Sequence, residues 1–452
     1  MLTLLEKFNA IVWGAPALLL IISVGLYLTV RSGFVQITMF PRALSMFIQQ
    51  FRNKNNSNKE VSGYQALCTA LAATVGTGNL AGVAGAISIG GPGAIFWIWV
   101  CGILGMVIKF AEATLAIRYR VRNKSGEYVG GPMYMISRGI GEKCRCLAVL
   151  YSFFGLVASF GVGNSTQINT VVSCVRSTLQ VFNTHLSNVS TMLLGLLFAV
   201  VITLCLSGGA KRIGRAAEVL VPIAACGYIV LSLIVLIVRA QYIPEAFSVI
   251  ISGAFSPRSV TGGMIGSAFI ALRVGTSRGV FTNEAGMGTA SIAHAAANVT
   301  HPVEQGFMGM MEVFIDTIVI CTLTALVILC SGIPIFYGAD VGIELTTKAF
   351  STVYGKWILI AISAAVSCFA FATVLGWGLY GARCAQYLFG ESAWRWFVIA
   401  QAIIAVIGAI MQTQTVWLLA EIVNGLMAIP NLIALIILSP ELLRLIIEYK
   451  RA

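Results

Sequence analysis

LAATVGTGNLAGVAGAISIGG, residues 71–91, holds no charged residue and is apolar enough to enter a bilayer, yet six of its 21 positions are glycine. Glycine in a helix interior costs about 1 kcal/mol relative to alanine, and lipid offers no partner to an unpaired backbone amide. Gly76, Thr77, Gly78 and Asn79 fall in the middle of the stretch. Close packing of helices through small residues accounts for Ala81, Gly82 and Gly85, but not for four consecutive weak or polar positions. A helix broken there frees carbonyl oxygens for a cation and amide hydrogens for a carboxylate. GTGNLA also fits the glycine pattern of a dinucleotide loop, which needs a strand before it and an acid about 20 residues on. Here the flanks are apolar helix and the first acid downstream is Glu112.

The rest of the chain is of the same kind. Of 452 residues 58% are hydrophobic and 10% charged, where a soluble domain carries roughly 25% charged residues. Eleven stretches approach the roughly 20 apolar residues of a transmembrane helix: 11–30, 64–90, 94–118, 147–172, 191–206, 216–238, 261–290, 304–330, 356–380, 394–412 and 415–438. The net charge of +12 does not point to nucleic acid, because the basic residues sit in short loops. With residues 31–63 placed in the cytoplasm, twenty Lys and Arg fall inside and six outside, leaving Lys109, Arg273 and Arg278 within helices. That asymmetry sets the expected orientation in a prokaryotic plasma or inner membrane: amino terminus outside, carboxyl terminus cytoplasmic. Residues 1–30 read as a retained helix, since their apolar run is too long for a signal peptide and basic residues follow it. The eleven cysteines are scattered and read as free thiols.

The first helix stands apart. Residues 34–52 alternate apolar and polar positions, as an interfacial segment does, and NKNNSNKE at 53–60 is a linker. Ten helices follow in two fives, so the second set must run opposite to the first. The expected divisions are 1–60 (extra transmembrane helix, interfacial segment and linker), 61–240 (first repeat), 241–438 (second repeat) and 439–452 (cytoplasmic tail). Each five opens with a glycine-laden helix, the second being GGMIGSAFIALRVGTSRG at 262–279. Interrupted helices at matching places in two halves point to an inverted-repeat transporter and to its binding site, with the breaks expected at Gly76 and Gly275. Surface helices are expected at 243–255 and 339–354.

Charged residues inside spans are costly and functional by default. Lys109 and Glu112, spaced i, i+3, are read as a structural pair. Glu312 and Asp316, spaced i, i+4, are read as a gate or scaffold network reaching Arg278 or Arg273. Glu284 is expected to cap the inner end of the helix that holds Gly275. Arg273 either pairs with Glu312, Asp316 or Glu284, or contacts substrate. No carboxylate is near either expected break, which leaves proton coupling without a carrier there. FGVGNSTQ at 160–167 puts amides and a hydroxyl in an apolar span; Asn164 reads as glue between helices or as a site residue, and Gln167 as a pocket residue. Glu421 has no assigned partner, and the three histidines show no metal spacing.

VGTGN at 75–79, GGPGA at 90–94, GGPMY at 130–134, SRGVFTNEAGMG at 277–288, FIDT at 314–317 and ATVLGWGLYGARC at 372–384 together resemble the alanine/glycine:cation symporter family, over residues 10–440. VGTGN also resembles the unwound first core helix of LeuT-type transporters. The resemblance implies an all-α integral membrane protein of eleven transmembrane helices. It would have a LeuT-type 5+5 inverted repeat, one extra N-terminal helix, and broken first and sixth core helices. It implies uptake of small neutral amino acids, alanine and glycine above all, coupled to sodium and sometimes to protons. The substrate site it implies falls on Thr77, Gly78 and Asn79, on Gly161, Gly163 and Gln167, on Phe269, Arg273 and Thr276, and on Trp377. The sodium site falls on the carbonyls of Ala72 and Val75, with Phe369 and Thr373. LeuT-type sites have two adjacent hydroxyl residues where this chain has Ala372 and Thr373, so one side-chain ligand is missing.

The expected function is sodium-coupled symport of alanine and glycine by alternating access, with sodium as coupling ion, the bilayer as surroundings and no catalytic residue. Two alternatives stay open: a facilitative channel for a small solute, and a symporter of the same fold for glutamine or serine. The sequence fixes neither D/L selectivity nor sodium stoichiometry. It leaves the oligomeric state open, and a monomer is compatible with it.

Overall fold

A computed structural model of the protein describes residues 12–52, 61–256, 268–338, 342–411 and 413–451, with Leu5, Lys7 and Asn9. The described chain is helical apart from two pairs of two-residue strands. Among the described residues seven helices are each long and apolar enough to cross a membrane, or up to nine if each of two bent pairs is one span.

Helix α1 (Ala15–Arg31) is followed by α2 (Phe40–Arg52), which buries Ala43 and exposes Leu44, Ile48 and Phe51. Strand β1 (Val61–Ser62) leads into α3 (Gly63–Thr74), which starts in a capping box: Ser62 Oγ accepts from Gln65 N at 3.1 Å and Gln65 Oε1 from Ser62 N at 3.2 Å. Such a box satisfies two otherwise orphaned amides. After a short gap α4 (Gly78–Gly90) continues at a 47° bend. Helix α5 (Gly93–Tyr119), the hairpin β2 (Val121–Arg122) and β3 (Tyr128–Val129), and the 40-residue α6 (Glu142–Val181) come next. Helices α7 (Asn188–Leu206), α8 (Gly209–Val238) and α9 (Ile243–Phe255) follow.

The later part has α10 (Ala268–Asn283), α11 (Thr289–His294), β4 (Ala297–Asn298), α12 (Pro302–Cys330), α13 (Ile343–Tyr354) and α14 (Ile358–Phe389). Helices α15 (Ala393–Ile410), α16 (Thr413–Ile437) and α17 (Ser439–Arg451) close the chain. Helices α9 and α13 are the two short ones expected between spans; residues 339–341 lie outside the described set. Strands β1 and β4 pair in parallel, Val61 opposite Ala297 and Ser62 opposite Asn298, which ties the start of α3 to the segment after α11.

Helices α7, α8 and α15 turn Leu193, Leu197, Ile223, Ile237 and Ile403 outward, an apolar exterior suited to lipid. All eleven cysteines are free. Among the described residues four stretches are wound wider than an α-helix, with i→i+5 bonds: Gly78–Gly82, Met135–Ile140, Gly161–Ser165 and Phe314–Cys321. Such turns gather at functional sites, and here they fall on or directly beside VGTGN, GGPMY, FGVGNSTQ and FIDT.

One expectation is corrected. Gly275 lies inside the continuous helix α10, and the chain leaves the helix at residues 284–288. A Cβ at Gly275 would stand 2.3 Å from the Ala94 carbonyl oxygen and 2.7 Å from Trp97 Cβ. Glycine is there for close approach to α5, not for a break. Gly262, Gly263 and Gly266, on which the expectation also leaned, lie outside the described residues.

Candidate functional site

Helix α3 ends because Gly76 N–H donates to Asn79 Oδ1 at 2.8 Å, which takes it away from the Ala72 carbonyl. Val75 is extended at φ −74°, ψ 96°. The Asn79 amide in turn donates to Asp316 Oδ1 at 2.7 Å and to the Asp316 carbonyl at 3.1 Å. Asn79 thus holds the first break against the wide turn of α12, and its side chain is committed to that role. On the opposite side Thr77 Oγ1 donates to Gln167 Oε1 at 3.0 Å, which brings FGVGNSTQ to the break.

Thr373 of α14 faces the same place: a Cβ on Gly76 would lie 2.6 Å from its Oγ1. Several buried helical threonines return their hydroxyl to the carbonyl four residues back, as Thr166 does to Val162 and Thr324 to Ile320, whereas Thr114 Oγ1, like that of Thr373, has no partner among the described residues. Thr373 Oγ1 is buried and has no hydrogen-bond partner among the described residues, so the Phe369 carbonyl does not receive it. Buried polar atoms are rarely left so. A hydroxyl oxygen and backbone carbonyls are ligands that a hard cation takes, and Ala72, Val75, Phe369 and Thr373 are all buried.

The second break is the NEAGMG segment. Glu284, Gly286 and Gly288 have φ of +54°, +91° and +75°, conformations natural to glycine and strained for glutamate. Glu112 of α5 holds the loop: its Oε1 accepts from Gly286 N and Gly288 N at 3.0 Å each, and from Asn431 Nδ2 at 2.7 Å. Glu284 Oε1 accepts from Trp377 Nε1 at 2.7 Å and its Oε2 from Thr289 Oγ1 at 2.6 Å. The breaks adjoin, since a Cβ on Gly78 would meet Thr282 Oγ1 at 3.5 Å. Carboxylates therefore do stand at the breaks, Asp316 at the first and Glu284 at the second. Sequence reading missed them because both contacts span more than 90 residues and Gly275 was taken as the weak point.

Thr77, Gly78, Asn79, Gln167, Thr373 and Trp377 are thus brought together. Gly163 joins them by close approach, its position leaving no room for a Cβ, which would sit 2.3 Å from Trp377 Cβ. Gly161 lies at the head of the wide turn, its carbonyl accepting from Ser165 Oγ at 3.1 Å. Phe269, Arg273 and Thr276 are not brought in. They precede the second break on α10, Thr276 being six residues and about 9 Å of helix before Thr282. Phe269 is 56% exposed and Arg273 is exposed too.

The charge pairs also differ from expectation. Lys109 pairs with Glu312 at 2.9 Å rather than with Glu112, and His294 Nε2 lies 3.1 Å from the other Glu312 oxygen. Neither Glu312 nor Asp316 meets an arginine among the ion pairs seen, because Arg278 pairs with Glu421 at 2.8 Å. Asn164 acts as glue, donating to the Gln401 carbonyl at 2.8 Å and to Gln401 Oε1.

A cavity of about 500 Å³ opens between α6, α13 and the start of α14. Another, of about 240 Å³, is lined by Val61, the β2–β3 hairpin and Arg383, where Arg383 and Glu127 pair at 2.8 Å.

The model of the sodium:alanine symporter family matches residues 1–452. The chain belongs to this family. A sodium:alanine symporter is a transporter and not an enzyme, and sodium is its coupling ion. The chain is 42% identical over 441 residues to the sodium/alanine symporter AgcS of Methanococcus maripaludis, covering 97% of this chain and 94% of that protein. It is 36% identical over 446 residues to the probable sodium/glutamine symporter GlnT of Bacillus subtilis, covering 98% and 89%. Its fold is similar to that of MhsT, solved in complex with L-phenylalanine, with a TM-score of 0.62 at 14% identity over 84% of this chain and 90% of that one. The symporter therefore has a LeuT-like helical fold and is a multi-pass membrane protein.

Proposed function

We propose that this symporter imports alanine, and glycine with it, by alternating access around the two adjoining breaks. The Thr373 hydroxyl beside Gly76, without a partner among the described residues, carries the reading, because it would give a cation a ligand at the place where the first helix is interrupted. Sodium would be held by the carbonyls of Ala72 and Val75 with Thr373 and the Phe369 carbonyl. The substrate carboxylate would meet the free amides at the start of α4, around Thr77 and Gly78, where the helix dipole favours an anion. Gln167, Thr282, Glu284 and Trp377 would enclose the remainder, in place of Phe269, Arg273 and Thr276. The 5+5 arrangement with an extra first helix, eleven spans in all, and an outer amino terminus remain part of this reading, supported by the loop charges and the bent α3–α4 pair.

Proteoliposomes loaded without sodium test it. Alanine should accumulate against its gradient when sodium is outside, and should not when choline replaces it. Equilibration without accumulation, and no counterflow, would replace the symporter by a channel. A panel including glycine, serine and glutamine ranks the substrates.

A further inference from the structure

We propose that the cavity between α6, α13 and the start of α14 is an effector site. It takes an amino-acid zwitterion with an apolar side chain larger than that of alanine, and slows transport when filled.

The cavity measures about 500 Å³, and pockets for small ligands run from about 300 to about 1,000 Å³. It lies on the side that the loop charges assign to the outside. Glu344 and Lys348 of α13 line it, with Lys356 just before α14. Glu344 is half-buried and the two lysines are exposed. Opposite charges at i, i+4 on a helix ordinarily pair, but Glu344 and Lys348 do not. Among the described residues no ion pair or side-chain hydrogen bond takes up any of the three, and Lys356 Nζ stands 5.6 Å from the centre of the Phe182 ring. Unpaired charge of both signs suits a ligand that carries both. Glu344 would take its ammonium, and Lys348 or Lys356 its carboxylate. Val181, Ile343 and Leu359 supply an apolar wall for the rest. An anion alone would leave Glu344 unpaired, and a cation alone would leave the lysines so.

Helix α13 gives the ligand its effect. Glu344, Lys348 and Ser351 follow one face of it, at i, i+4 and i+7. Thr346 lies on the other face and donates to the Leu80 carbonyl at 3.0 Å. Leu80 belongs to the wide turn Gly78–Gly82, beside the first break. Next to the cavity Ser363 of α14 joins α6, its Oγ lying 2.7 Å from Thr178 Oγ1 and 3.3 Å from Cys174 Sγ. Further inward the same two helices carry Gln167 and Thr373. A zwitterion seated between α13 and α6 holds α13 to this hydrogen-bonded seam and, through Thr346, holds the first break as it stands. Alternating access needs the break to change its neighbours, so the filled cavity slows turnover without touching the transported substrate.

Leucine is the probe, because on the reading above the central site takes alanine and glycine. Radiolabelled leucine should bind the purified full-length protein saturably in detergent, and alanine at the concentration that saturates uptake should leave it bound. In proteoliposomes, leucine outside should lower the maximal rate of sodium-driven alanine uptake without raising the alanine concentration for half-maximal rate. Glu344→Gln, and Lys348→Gln together with Lys356→Gln, should each weaken leucine binding by about fivefold or more, since each removes a charged partner. Both variants should take up alanine at the wild-type rate when leucine is absent, which shows that they fold. Isocaproate, which lacks the ammonium, and isoamylamine, which lacks the carboxylate, should bind as weakly to the wild type. Absence of leucine binding, binding unchanged in either variant, or binding that leaves the uptake rate as it was overturns the proposal. So does inhibition that alanine relieves, which would put leucine in the central site, or isocaproate binding equal to that of leucine, which would make the cavity a plain anion site. The slowing rests on the symport reading, which sodium-driven alanine accumulation without leucine tests by itself; leucine binding does not depend on it, so the two fail separately.

Discussion

Thr373 separates ion from substrate at the scale of one residue. Its hydroxyl makes no hydrogen bond among the described residues, so Thr373→Val removes none of those, and a lost internal hydrogen bond is what usually makes such a change costly. Folded yield should stay near wild type while the sodium requirement for uptake rises several-fold, with alanine affinity little changed at saturating sodium. A titration of uptake against sodium checks this, and an unchanged midpoint removes Thr373 from the site. Trp377 behaves differently. Its indole is pinned by Glu284 on one side and by the missing Cβ of Gly163 on the other. Trp377→Ala is expected to cost about 3–5 kcal/mol as a buried aromatic truncation. It should also weaken glycine and alanine while admitting leucine- or methionine-sized competitors. Trp377→Phe keeps most of the volume but drops the donor to Glu284, so it should keep the size cutoff and lose rate. Competition by side-chain length distinguishes the two. Thr373 came into view only through the resemblance carried by ATVLGWGLYGARC at 372–384, not from its own surroundings. The Glu284–Trp377 bond was not legible, since nothing local joins residues 93 apart.

Among the elements, the interrupted helices show where sequence reading succeeds and where it slips. The first break was legible because its own stretch contains both its cause and its effect: glycines at 76 and 78, and Asn79 three residues after the amide it captures. The second was misplaced by nine residues or more. Gly275 and Gly286 look alike in sequence, but one serves close contact with α5 and the other a positive φ, and Glu112, which stabilises the loop, lies on another helix. The two glycines should respond differently to alanine. Gly275→Ala pushes a methyl into the Ala94 backbone and should cost about 1–3 kcal/mol of stability as overpacking does, lowering the melting temperature in detergent without altering the sodium midpoint of the protein that remains folded. Gly286→Ala strains the break itself and should reduce transport rate at a given amount of folded protein. Equal effects of both on the sodium midpoint would contradict the assignment of the break.

For the whole molecule, the short parallel pair β1–β4 and the buried chain from Lys109 through Glu312, His294 and Gln305 join the start of α3 to α11 and α12. If the breaks are hinges, these elements must move together or part during the cycle. A thiol cross-link between cysteines placed at Val61 and Ala297, with the exposed Cys146, Cys226 and Cys368 replaced, separates the possibilities. Arrest of uptake, reversed by reductant, is expected if α3 parts from α11; full uptake in the linked state means that they travel as one body. The sequence offered eleven apolar stretches, where seven to nine spans stand among the described residues, but it gave no sign of this junction, because two-residue strands leave no periodic trace. The wide turns bear on a different matter, the tolerance of the chain to length change. Each holds one residue more than the α-helix it interrupts, so deleting one residue within Gly161–Ser165 lets α6 rewind as ordinary helix with every downstream side chain facing as before. The same deletion a few positions further on would turn the rest of the helix by about 100° and carry the residues beyond it out of phase with their partners. Natural length variation within α6 is therefore expected at the wide turn, and a deletion scan through 155–172 should find its permissive positions there.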